Sequence, residues 1–77
     1  MFVEIITPDK EIFKGNASLV QLPGIDGLFT ILENHGAMIA ALQKGKIRIV
    51  SEGETSYFDI QGGVVEVIKN KVQILAE

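Results

Sequence analysis

Apolar and polar residues alternate along this chain in short runs, and no stretch holds an apolar face at helical spacing for helix length. Phe2 to Thr7 reads as a strand, closed by Pro8-Asp9, a pair in which proline fixes φ for a turn. Lys10 to Lys14 and Ala17 to Leu22 read as the next two strands, parted by Gly15-Asn16. Pro23-Gly24 and Asp26-Gly27 then give two turn signals in close succession. Neither pair sits comfortably inside a strand, because proline lacks a donor and glycine favours positive φ. Leu28 to Leu32 and Ala37 to Gln43 are strands on either side of a polar break, Glu33-Asn34-His35-Gly36. Ala37 to Leu42 has helical propensity, but it is short and bounded by glycines, which makes it a strand.

Lys44-Gly45 turns the chain into Lys46 to Val50, and Ser51-Glu52-Gly53-Glu54 is a hairpin turn leading to Thr55 to Ile60. Gly62-Gly63 breaks the run before Val64 to Ile68, as a bulge or a close backbone approach, and Asn70-Lys71 turns it into Val72 to Ala76. The spacing of these turns predicts an all-β fold: one small sandwich or flattened barrel of about 8–10 short, mostly antiparallel strands, spanning residues 1–77. Leu22 to Val50 organises the rest. It throws out two loops, around Asp26 and around His35, with apolar residues directly behind them. Val64, Val65, Val67 and Ile68 are apolar on both alternating faces, so that strand is either central or lies under a partner.

Composition narrows the function more than it identifies it. A chain of 77 residues buries only roughly 60% of the surface its unfolded form exposes, yet 47% of these residues are hydrophobic. Some of that surplus is expected to be exposed and to await a partner. The net charge of −3 argues against a nucleic-acid partner, whose phosphates demand a basic face. There is no cysteine, hence no disulfide and no thiolate metal site. No apolar run reaches the roughly 18 residues needed to span a bilayer, and Met1-Phe2-Val3-Glu4 lacks the basic start of a signal peptide. A soluble, cytoplasmic chain is expected.

No cofactor, metal or catalytic set emerges. His35 is the only histidine, and Glu33 and Asp26 do not complete a recognisable ligand set with it. No serine or cysteine is arranged with it as a nucleophile, so His35 reads as a turn residue bonded to nearby backbone. Gly45-Lys46 resembles the end of a phosphate loop, but Ile47 stands where Ser or Thr is needed and Ala40 where the first glycine should be. Gly24-Ile25-Asp26-Gly27 matches the GXXG of a KH domain, yet it carries an acid where phosphate would approach. Glu52 and Glu54 flank a solvated hairpin tip, and Asp26 and Glu33 occupy separate loops that could converge.

A resemblance covers the whole chain. LPG-x-x-G, a short strand, a polar turn with a central His, an apolar run and K-G-x-I-R-I follow one another. That order is similar to the epsilon subunit of rotary ATP synthases, as are EIITPDKEIFKG before it and IQGGVVEV and VQILAE after it. The resemblance implies a non-catalytic rotor subunit of the central stalk in a bacterial, proton-translocating enzyme. Such a subunit couples proton flow to ATP synthesis by binding the gamma subunit and the c-ring. It would sit peripherally, through that complex, at the cytoplasmic face of the inner membrane. Carried over by position, Asp26, Gly27 and Leu28 in the first loop and His35 in the second are the candidates facing the c-ring. Met38 and Ile39 are the candidates facing the gamma subunit.

This chain departs from the family in three ways. Leu28 stands where many members are acidic, so any polar contact to the ring is lost or moved to Asp26. The His35 loop has Thr30, Glu33 and Gly36-Ala37 where the family commonly has Gly, Pro and Ala-Pro, which changes its turn. Typical members continue into a C-terminal helical hairpin, whereas these residues correspond to the sandwich alone. From the residues themselves, two other readings stay open. One is a free-standing sandwich that captures a peptide or small ligand at the Asp26 and His35 loops. The other is a small hydrolase that uses His35.

Overall fold

The computed structural model describes residues 1–77, and all of its regular structure is strand. The strands are β1 (Phe2–Ile6), β2 (Glu11–Asn16), β3 (Leu19–Gly24), β4 (Gly27–Leu32), β5 (Met38–Ser51), β6 (Glu54–Ile68) and β7 (Lys71–Ala76). They form one sheet in the order β2-β1-β7-β6-β5-β3-β4, antiparallel at every junction except β1 with β7. The all-β reading holds. The count is seven because two glycine signals read as breaks fall inside strands. Gly45 lies within β5 and Gly62-Gly63 within β6, so four expected strands are two long ones.

Those two strands fold the sheet over on itself. Their register runs from Met38↔Val67 to Ser51↔Glu54, yet the buried side changes along the way. Leu42, Val65 and Val67 point inward in one half, and Ile47, Ile49 and Ile60 in the other, so the parity of both strands inverts between the halves. The inversion needs a sharp coil of the backbone, which Gly62 (φ 157°) and Gly63 (φ 150°) supply. A Cβ at Gly63 would also collide with the carbonyl of Leu75 across the ladder. A single continuous ladder therefore turns the corner between two layers.

Sixteen buried apolar residues form one cluster between the layers, Val3, Ile5, Val20, Leu22, Ile31 and Ile74 among them. Phe13 on the edge strand β2 meets Phe58 of β6 edge-to-face, with ring centroids 5.5 Å apart, a preferred aromatic geometry that brings the folded sheet together. No polar or charged side chain is buried. The radius of gyration is 11.0 Å, against about 11.5 Å for a compact chain of this length.

Two turn assignments shift. Pro23 and Gly24 belong to β3, and the β3–β4 turn is Ile25-Asp26. Proline is tolerated there because the β3–β5 pairing is irregular between Gln21 and Gly24, so no ladder bond is asked of it. The last turn is Lys69-Asn70, one residue earlier than Asn70-Lys71. Both residues have positive φ, as a tight two-residue hairpin requires.

Candidate functional site

Two surface features stand out, a cleft and a sheet face. The cleft lies between the β3–β4 turn and the start of β5. It forms because the Ile25 N–H donates to Ala41 O at 3.1 Å and the Gln43 side-chain amide donates to Gly24 O at 2.8 Å. A Cβ on Gly24 would come within 2.8 Å of both the Gly27 carbonyl and the Phe29 ring, so only glycine lets the turn fold back this tightly. The cleft has a volume of about 460 Å³, and Asp26, Gly27 and Leu28 line it together with Met38 and Ile39. The two groups assigned to different partners thus share one concavity. Asp26 is its only ionisable residue.

His35 lies elsewhere. Asp26 and His35 flank opposite ends of β4, whose six residues span about 20 Å, so the two loops do not converge, and neither do Asp26 and Glu33. The His35 N–H donates to Leu32 O at 3.2 Å, and its ring Nδ1–H donates to Gly36 O at 2.7 Å. This is the turn role read for it from the residues alone. Next to it the chain ties three loops together. The Met1 ammonium donates to Ala17 O at 3.1 Å and pairs with Glu33. Asn70 donates to the other Glu33 oxygen at 3.1 Å and accepts from Asn34 N at 2.8 Å. The ammonium, and secondarily Asn70, hold the Glu33 carboxyl below the usual glutamate range.

The sheet face is the outer side of β1, β7, the second half of β6 and the first half of β5. Register places Ile6 beside Leu75, Leu75 beside Val64, and Val64 beside Ala41, which makes one apolar row across four strands. Val64 is 43% exposed and Leu75 51%, while their neighbours Val65 and Ile74 are fully buried. Ile39 at 71% and Ile25 at 60% carry the exposed apolar surface from this row to the cleft. A polar row, Glu4-Gln73-Glu66, runs beside it, and Gln73 donates to Glu4 at 3.3 Å. Of the gamma-facing candidates, Ile39 lies on this face, whereas Met38 turns to the opposite side of β5, packed against the core across from Val67; Ile6 and Leu75 were not among the candidates. The doubly apolar Val64–Ile68 run was the one signal for this face, and it reaches Val64 but neither Ile6 nor Leu75.

Chemically these features can bind but have nothing to react with. No group of three His, Asp or Glu side chains is placed to hold a metal ion. The cleft offers a single carboxylate and no buried polar group to orient a small substrate, whereas ligand sites pair apolar walls with a few placed polar groups. No helix is long and apolar enough to cross a membrane.

Comparison with known proteins agrees in fold and family. Residues 1–77 match the family described as ATP synthase, Delta/Epsilon chain, beta-sandwich domain. The chain is 42% identical over 76 residues to the ATP synthase epsilon chain of Chlorobium limicola, covering 97% of this chain and 86% of that one. It is 38% identical over 73 residues to that of Caulobacter vibrioides, covering 95% and 85%. Against the epsilon chain of Salinibacter ruber, identity is 40% over 84 residues, covering 97% of this chain but 56% of the relative. Among solved structures, a chain of the Euglena gracilis mitochondrial ATP synthase superposes with a TM-score of 0.89 at 21% identity, covering 96% of this chain and 48% of that one. A chain of the Tetrahymena thermophila central stalk and c-ring structure gives 0.84 at 22%, covering 97% and 61%.

Proposed function

This chain belongs to the delta/epsilon family of ATP synthase chains, and we propose that it is the rotor subunit that joins the gamma subunit to the c-ring. Epsilon chains are stalk subunits of a membrane-associated complex and not its catalytic ones. The finer reading concerns how this one couples. It performs no bond chemistry. Its contribution is an interface that does not slip as proton flow turns the ring, so that torque reaches the catalytic head. Residues 1–77 act in this as one sandwich unit, at the cytoplasmic face of a bacterial membrane.

The observation that carries the reading is the apolar row Ile6-Leu75-Val64-Ala41, continued by Ile39, on a sheet face that would be polar if water were its partner. We assign this row to the gamma subunit, with Met38, on the opposite side of β5 where it lines the cleft, as the outlying gamma candidate. Asp26, Gly27 and Leu28 are assigned to the ring, with Asp26 as the polar contact where Leu28 offers none. His35, beyond the far end of β4, is the outlying ring candidate. Titration calorimetry with the gamma subunit of the same genome tests the assignment. Leu75→Glu is expected to weaken binding by at least about tenfold, while Asp59→Ala on the other layer leaves it unchanged. Equal affinity for both variants would remove the gamma assignment.

A further inference from the structure

The sheet has two free edges, and they are built differently. On β2, Glu11 and Lys14 put charge on the strand, and the β1–β2 pairing is irregular at Ile5/Ile6. Charges and irregularities of this kind keep other strands from adding to an edge. On β4 the residues are Gly27-Leu28-Phe29-Thr30-Ile31-Leu32, with no charge, no proline and a regular pairing to β3. Leu28 and Leu32 are 65% and 54% exposed.

The two-residue turn makes Gly24 and Gly27 the bonded closing pair of the hairpin. Gly27, Phe29 and Ile31 therefore point their backbone groups at β3, and Leu28, Thr30 and Leu32 point theirs outward. The Leu32 carbonyl already accepts from His35 N, while the groups of Leu28 and Thr30 face open space.

We propose that the β4 edge is a self-pairing surface whose occupant is the β4 strand of a second copy of this chain. The strand is complementary to itself about Thr30. In an antiparallel pair centred there, Thr30 meets its own twin, Leu28 meets Leu32, and Phe29 meets Ile31. Each pair lies on one face, as the two-residue period requires, and a two-fold axis through Thr30 closes the contact. About four backbone hydrogen bonds form between the two Thr30 residues and between Leu28 and Leu32. Threonine opposite threonine and leucine opposite leucine are favourable cross-strand neighbours. At the ends, Asp26 falls opposite Asn34 and Glu33 opposite Gly27, so no like charges meet. One short strand is a small interface, so the dimer is weak and reversible. It covers Leu28, so it competes with whatever docks in the cleft.

Sedimentation velocity of the 77-residue chain from about 1 μM to about 1 mM tests this. A monomer–dimer equilibrium is expected, with the Thr30→Lys variant raising its dissociation constant by at least about tenfold. Hydrogen exchange at the Leu28, Thr30 and Leu32 amides should slow as concentration rises. A chain that stays monomeric to the top of that range would overturn the proposal. So would a dimer that survives Thr30→Lys and is lost in Val64→Lys, which would place the contact on the other face.

Discussion

The two sides of the β6–β7 ladder are made of the same kinds of residue and meet opposite fates. Val65, Val67 and Ile74 point inward and are at most 1% exposed; Val64, Ile68 and Leu75 point outward and are roughly half exposed. Folding explains the first set completely. Burying aliphatic side chains of this size gives about 1.5–3 kcal/mol each, and a chain this small depends on such burial. It leaves the second set unexplained, since outward positions on a half-buried ladder are ordinarily polar. The difference teaches that the apolar content of this sequence serves two cores. One closes within the chain; the other, on the function proposed above, closes against the gamma subunit.

The comparison breaks most visibly from the inside. Val67→Asp places an unpaired carboxylate in a layer that holds no polar side chain, at a cost of several kcal/mol, and the chain is expected to be unfolded by circular dichroism. Gly63→Ala comes next. The added methyl meets the Leu75 carbonyl and lies 3.0 Å from Ala76 Cα, at a positive φ that alanine resists. A loss of about 1–3 kcal/mol in urea denaturation is expected. Val64→Glu changes the outer side alone. Stability should fall by less than about 1 kcal/mol in the same assay.

Smallest is the effect of Glu33. Its folded carboxyl titrates below its unfolded range, so its contribution is complete above the ordinary glutamate range and is lost as pH falls through the lower folded value. Glu33→Gln should flatten that acid limb by lowering stability slightly in the neutral region, and leave the acid end, where the wild-type carboxyl is also protonated, nearly unchanged.

Much of this was written in the local pattern. The hairpin turns, the all-strand character and the doubly apolar Val64–Ile68 run can be read along the chain, because alternation and turn chemistry are short-range properties. Gly45 and Gly62-Gly63 look like strand ends along the chain because glycine marks both a turn and a corner, although the close backbone approach expected at Gly62-Gly63 is there, against the Leu75 carbonyl. Only cross-strand register separates the two, and here β5 and β6 stay paired through the bend. The site was half legible. Met38, Ile39 and Asp26 do lie at one concavity, but Asp26 and His35, nine positions apart in the chain, are set apart by the length of β4. Ile6 and Leu75 could not have been chosen from sequence. They are surface neighbours of Val64 only because β1 runs parallel to β7, a long-range pairing without a local signal.

Native mass spectrometry of this chain mixed with the gamma subunit of the same genome, wild type beside Val64→Glu, tests the two-core account most directly. A stoichiometric one-to-one complex that the folded Val64→Glu variant fails to form is the predicted result. A wild-type chain that stays alone at micromolar concentration with folded gamma present, or a variant that binds as well as wild type, would contradict it.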